Sequence, residues 1–299
     1  MVAADNAITM RNWAQTGGQN QDIEVIYLSP SWWWEQRDKR SDQYALLMNP
    51  TAVILISICY IIFVTWIGPT VMRNREPYSL KIPLLVYNIC QVIINLYIVL
   101  EASDAGWGRH YSWICQNVEA GNEEGSTAMR MVAITYVYFI NKYIEFADTI
   151  FFVARKKNNQ LTLLHVYHHA IMPIYAWIQM RWLPGGHEIL VGVMNSFVHV
   201  VMYSYYLLSA LGPKMQRYLW WKKYLTVLQL VQFCLAIVHT LIVATGIVQC
   251  GYPWLNCAGT FVFIQAPFLY LFLEFYRKSY STKHYKPSSA KKAGETKTN

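Results

Sequence analysis

Three histidines within five residues, His165, His168 and His169, are the feature of this sequence that most demands a chemical explanation. They open an apolar stretch as H-V-Y-H-H, and offsets of 0, 3 and 4 put them on one helix face. A lone buried histidine is usually a hydrogen-bonded core residue. Three on one face suit metal ligation, proton transfer or nucleophilic catalysis.

Other polar groups cluster in the same way. K-Y-I-E-F-A-D-T carries Lys142, Glu145, Asp148 and Thr149 within about a 120° sector of a helix. A Lys142–Glu145 pair at i,i+3 that serves only packing is the plain alternative. N-S-F-V-H-V-V-M-Y-S-Y-Y places Asn195, His199, Met202 and Tyr206 within about 60° of one another, with Tyr205 alongside. Thr226, Gln229 and Gln232 recur three apart, a stripe that more often bonds helix to helix.

The elements holding these groups must lie in lipid. Of the 299 residues, 55% are hydrophobic and 14% charged, against about 25% charged in a soluble domain. That balance excludes a disordered or nucleic-acid-binding tail protein. No charge occurs from Ile82 to Leu100, from Ile189 to Pro213 or from Tyr224 to Leu273. A bilayer needs roughly 20 apolar residues per helix. The sequence therefore predicts an all-α, polytopic integral membrane protein with seven transmembrane helices, near 46–72, 82–100, 131–153, 161–180, 189–211, 224–248 and 258–275. Ionisable groups inside such spans are functional candidates, because each is costly unless partnered.

The expected organisation is a luminal N-terminal segment 1–45, a helical catalytic domain 46–278 and a disordered basic cytosolic tail 279–299. The polar first 44 residues suggest no cleavable signal peptide, so span one would serve as the insertion signal. Loops after the odd-numbered spans hold seventeen Lys and Arg and the opposite side seven, with Lys142 inside a helix. This predicts a luminal N-terminus and a cytosolic C-terminus. The +8 net charge then belongs to one face, suited to anionic lipid or to a polyanionic cytosolic substrate. Cys59, Cys90 and Cys234 fall in spans, as small buried hydrophobes. Cys115, Cys250 and Cys257 fall in luminal loops, where oxidation is allowed. No CxxC motif points to zinc or redox chemistry.

A membrane di-iron desaturase or hydroxylase also uses H-x-x-H-H, but such centres draw on several histidine boxes. Here there is one, since His110, His187 and His284 fall in loops or the tail. A seven-helix receptor or channel has no need of a triple-histidine face.

The strings K-Y-I-E-F-A-D-T-I-F-F-V-A-R-K-K (142–157), H-V-Y-H-H (165–169), N-S-F-V-H-V-V-M-Y-S-Y-Y (195–206) and Y-L-W-W-K-K-Y-L-T-V-L-Q-L-V-Q-F (218–233) resemble the elongases of very-long-chain fatty acids, the microsomal 3-ketoacyl-CoA synthases, and look closest to the animal branch. The resemblance covers about 46–278. It implies seven helices, six forming a barrel around an acyl tunnel, in the endoplasmic reticulum membrane. It implies that acyl-CoA and malonyl-CoA condense to 3-oxoacyl-CoA, CO2 and CoA, with no metal or other cofactor. A 3-ketoacyl-CoA reductase and a 3-hydroxyacyl-CoA dehydratase would complete the cycle, and a homo-oligomer is possible. The chain ends E-T-K-T-N, so Lys297 lacks the second lysine of a dilysine-type retention signal.

Within that frame a histidine is the better nucleophile, although Cys234 stays open. The resemblance favours His168, flanked by His165 and His169. Glu145 and Asp148 would orient the imidazoles, and His199 would assist malonyl decarboxylation. Asn195, Gln229 and Gln232 are expected to hydrogen-bond the developing oxyanion, with Tyr205 and Tyr206 lining the substrate site. Lys142, Lys156, Lys157, Lys222 and Arg277 are expected on CoA phosphates and carbonyls. The resemblance also places a cysteine at Cys115 and at Cys250, the expected luminal disulfide, with Cys257 as the other possible partner.

Overall fold

The computed structural model describes residues 30–44 and 49–280. Most of the N-terminal segment and the tail with Lys297 lie outside the described residues. Within them the chain is helical, with no strand. A short α1 (Pro30–Glu35) precedes α2 (Pro50–Met72), α3 (Lys81–Trp107), α4 (Thr127–Ile144) and α5 (Phe146–Ala154). Then come α6 (Leu163–Trp182), α7 (Ile189–Ala210), α8 (Lys222–Ala244) and α9 (Trp254–Tyr280).

Helix starts follow the local sequence. Asn49 Oδ1 accepts from Thr51 N at 2.8 Å, with Pro50 at the first helical position. Ser126 caps α4 and Thr162 caps α6 in the same manner.

Five of these helices, α2, α3, α7, α8 and α9, are long and apolar enough to cross a membrane. The sequence windows 131–153 and 161–180 are not among them. Window 131–153 is interrupted at Glu145, where α4 gives way to α5. Window 161–180 matches α6, which carries the three histidines. The packing is inverted relative to a soluble bundle. Ile54, Leu55, Trp66, Ile82, Val86, Ile93 and Leu100 face outward. Asn88, Gln91, Asn95, Asn141, Lys142 and Glu145 are buried. Apolar surface outside and polar side chains inside is the arrangement of a multi-pass membrane protein.

Neighbour contacts run α3–α7–α8–α9–α6–α4 and return from α4 to α3, while α2 packs on α6. One proline explains how α6 is fixed beside α9. Pro267 has no N–H for the carbonyl of Phe263, four residues earlier. The Tyr167 hydroxyl donates to that carbonyl instead, at 2.7 Å.

One end of the molecule is tied covalently and ionically. A disulfide joins Cys115 to Cys250, linking the α3–α4 and α8–α9 connections. Arg181, at the end of α6, bonds Ser41 Oγ at 2.8 Å and Asp42 Oδ1 at 3.0 Å. The expectations for four cysteines change: Cys257 lies in α9 and is buried, while Cys59, Cys90 and Cys234 face outward.

Candidate active site

The break at Glu145 organises the site. Asp148 N bonds Glu145 O at 3.1 Å, tightening the turn between α4 and α5, and the Glu145 side chain lies 1% exposed. Its Oε1 accepts from three donors: Lys142 Nζ (2.8 Å), Asn141 Nδ2 (3.1 Å) and His199 Nδ1 (3.1 Å). A carboxylate buried this deeply is stable only with such partners.

Asn195 closes the network from α7. Its Oδ1 accepts from Lys142 Nζ (3.1 Å) and Tyr138 OH (3.2 Å), and its Nδ2 donates to His199 Nε2 (3.3 Å). Both nitrogens of His199 are therefore committed, with the ring proton on Nδ1 toward Glu145 and Nε2 unprotonated. Lys142 also lies over the Tyr138 ring, 4.5 Å from its centroid. It sits in the core, far from the exposed position that a phosphate ligand requires.

His168, like His165, is half-buried, whereas His169 is buried. The His168 ring stands 5.3 Å from His169, 6.3 Å from His199 and 5.0 Å from Phe268, between centroids. Among the described residues it takes no hydrogen bond, so an imidazole lone pair is free for chemistry. His169 is buried, with an unpartnered Nδ1, and its ring is 4.3 Å from that of His165. His165 Nε2 bonds Thr149 Oγ1 at 2.8 Å. The three histidines thus diverge, with His165 toward α5 and His168 toward α7 and α9.

Among the described residues Asp148 bonds a tyrosine and no histidine. It accepts from Tyr203 OH at 2.7 Å, and Tyr203 OH lies 3.5 Å from Tyr87 OH. Gln229 reaches Met202 Sδ at 3.8 Å and Gln232 is buried on α8; neither bonds Asn195 or a histidine. Tyr205 packs on Trp221, and Tyr206 is exposed. Lys157, Lys222 and Arg277 are exposed and Lys156 bonds the Arg73 carbonyl. By their places after α5, at the start of α8 and in the last turn of α9, these cations stand at the end where α6 begins. His168 is five residues inside α6, about 8 Å along the axis.

Tyr60, Tyr138, Asn141, Tyr203 and Phe268 escaped the sequence reading. Tyr138 and Tyr203 carried a usable signal, being one turn from Lys142 and His199 on the same face. Tyr60 and Phe268, on other helices, carried none.

Glu145, His168 and His199 offer donor atoms within 4.8 Å of one another, a set of types that suits a divalent metal. The Lys142 ammonium and the His199 N–H already bond the same oxygen of Glu145, so the group is built as a charge-compensated hydrogen-bond network. It holds two imidazoles near each other, one constrained and one free.

Residues 45–288 match the family described as "ELO: GNS1/SUR4 family". The chain belongs to that family. It is 42% identical over 269 residues to "Very long chain fatty acid elongase 4" of Mus musculus, covering 90% of this chain and 82% of the relative. Identity is 41% over the same length to "Very long chain fatty acid elongase 4" of Homo sapiens, with the same coverage. It is 40% over 268 residues to "Very long chain fatty acid elongase 7" of Drosophila melanogaster, covering 87% of this chain and 79% of that one. Every residue of the Glu145–His199 network, and all three histidines of α6, fall inside the family match.

Proposed function

We propose that this member of the family is a very-long-chain 3-oxoacyl-CoA synthase, the condensing enzyme of fatty acid elongation. It joins acyl-CoA to malonyl-CoA and releases CO2 and CoA. The supporting observation is the unconstrained His168 ring beside a His199 whose protonation is fixed by Glu145 and Asn195.

The reaction proceeds in two stages. His168 attacks the thioester carbonyl, the C–S bond breaks, and the imidazole proton leaves with the CoA thiol, giving acyl-His168. Malonyl-CoA then loses CO2, and its α-carbon attacks the acyl carbonyl. The His168 C–N bond breaks, and the imidazole regains a proton. His199 stands where malonyl would bind and, with its Nδ1 proton directed at Glu145, assists decarboxylation. Asn195 positions His199 and Lys142. His165 and His169 support His168, and Asp148 supports Tyr203. An acyl-imidazole survives only where water is excluded, which the half-buried place of His168 against Phe268 favours.

The same reading extends to the whole chain. Seven helical rods cross the endoplasmic reticulum membrane, counting α4–α5 as one. Six form a barrel around the acyl tunnel, and α2 lies beside it. The N-terminal segment to residue 45 is luminal, 46–278 is the catalytic domain, and the basic tail 279–299 is cytosolic. Lys156, Lys157, Lys222 and Arg277 receive the CoA phosphates, with Tyr205, Tyr206, Gln229 and Gln232 nearby along the substrate path. The substrates suffice without a cofactor. The 3-oxo product calls for a ketoreductase and then a dehydratase as partners.

The test is reconstituted protein with labelled malonyl-CoA and a panel of acyl-CoAs. Release of CO2 with 3-oxo products two carbons longer is expected. Absence of both across saturated and unsaturated chains would remove the proposal.

A further inference from the structure

We propose that the first long helix takes part in the reaction. Tyr60 of α2, acting through Thr149 of α5, is a positioning residue that fixes the ring proton of His165. This rests on the condensing activity proposed above.

Three atoms on three helices form a line. Tyr60 OH lies 2.9 Å from Thr149 Oγ1, which lies 2.8 Å from His165 Nε2. Thr149 is fully buried and Tyr60 is 5% exposed, so water does not compete for the bond between them, and the Thr149–His165 bond is partly buried. The Tyr60 ring is clamped by stacking on Phe146, with centroids 4.3 Å apart.

Counting protons fixes the direction of the line. A threonine hydroxyl has one proton, and neutral imidazole has one bare nitrogen. If Thr149 donated to Tyr60, the phenol proton would need another acceptor, and Tyr60 OH has no second hydrogen bond among the described residues. With Tyr60 donating to Thr149 and Thr149 donating to His165 Nε2, every proton in the line is used. His165 then carries its own proton on Nδ1, the same tautomer that Glu145 imposes on His199. The fixed His165 ring stands 4.3 Å from His169, whose ring is 5.3 Å from His168. Tyr60 therefore buttresses the histidine face from outside the contact ring of six helices. On this account α2 is more than an insertion signal.

The experiment uses full-length protein in lipid vesicles, with Thr149→Val, Thr149→Ser, Tyr60→Phe and the Tyr60→Phe/Thr149→Val double variant. Tyr60→Phe keeps the ring on Phe146, and Thr149→Val keeps the buried volume, so folding is preserved and is checked by thermal unfolding. Thr149→Val is expected to lower kcat roughly 10- to 100-fold, the range for losing an outer partner that orients a functional imidazole, with KM for both thioesters unchanged. Thr149→Ser should recover most of the loss, and Tyr60→Phe should show a smaller one. The double variant should be no slower than Thr149→Val, because the line is already cut. Thr149→Val turning over like the parent, no recovery in Thr149→Ser, or additive losses would each overturn the proposal. Should the chain condense nothing, the proposed function fails by itself. Nitrogen-15 shifts of labelled histidine then decide the present point: an unchanged His165 tautomer in Thr149→Val contradicts it, and a shift toward mixed tautomers supports it.

Discussion

Lys142 Nζ and Glu145 Oε1 meet 2.8 Å apart on one helical turn, and neither residue is more than 1% exposed. A full positive and a full negative charge are thus held in the core of a membrane protein. Glu145 spends the same oxygen on His199 of α7. The pair is at once a fold element and the support of a candidate catalytic imidazole, so the packing and functional explanations weighed from sequence are not exclusive.

Breaking that pair should cost stability as well as activity. Glu145→Gln leaves a buried ammonium without its counter-charge, and losses of about 3–5 kcal/mol follow such changes. The Lys142→Met/Glu145→Gln double variant should unfold at a higher temperature than Glu145→Gln, while still lacking turnover. Thermal unfolding in detergent measures the first effect, and condensation assays the second.

The exposed cations at the α6 entry end should act on substrate binding. Neutralising Lys157, Lys222 and Arg277 together should raise KM for both CoA thioesters several-fold and flatten its dependence on salt, with kcat little changed, since exposed charge pairs are screened. Unaltered KM in correctly inserted protein would assign these residues to topology alone.

The extent to which sequence revealed the site follows from the range of each signal. Helix existence, the apolar outer faces and the histidine box were legible because they are periodic along one segment. The Lys142–Glu145 pair was visible because i,i+3 spacing brings the two together on any helix. The interruption at Glu145 was not, as no proline or glycine marks it, and with it went the true partner of Asp148, which is Tyr203. Asn195 was expected as an oxyanion donor. Its Nδ2 is spent on His199 one turn along α7, and its Oδ1 on Lys142 and Tyr138 of α4, contacts between helices that no single segment encodes. Tyr60, 89 positions before Thr149, shows the same limit.

The Cys115–Cys250 disulfide should contribute substantially to stability. It spans 135 residues of sequence, and closing a loop of that size is worth about 4–5 kcal/mol on a chain-entropy model. Cys115→Ser/Cys250→Ser should unfold well below the parent, with the parent falling to meet it under reductant. The single buried thiol Cys257 should stay unreactive toward alkylating reagents until unfolding.

Two neighbouring groups just before α7 should oppose each other in pH dependence. Burial pushes the Glu188 carboxyl up to about 7 and the His187 imidazole down to about 4. Folded Glu188 keeps its proton longer than the unfolded chain, so its contribution is full below about 4.5 and is lost as pH rises to about 7. Folded His187 resists protonation, so its contribution is full above about 6.5 and is lost as pH falls toward 4. Across that window the two offset each other. Glu188→Gln removes one of them, so the variant's unfolding temperature should fall on acidification from pH 7 to 5 more steeply than that of the parent. Parallel curves would contradict the burial of Glu188.

The central claim is that His168 carries the acyl group, and intact mass spectrometry of the protein incubated with acyl-CoA alone tests it most directly. The account predicts one acyl adduct per chain with stoichiometric CoA release, discharged by malonyl-CoA and absent from His168→Ala. An adduct persisting in His168→Ala, or CoA released only when malonyl-CoA is present, would contradict it.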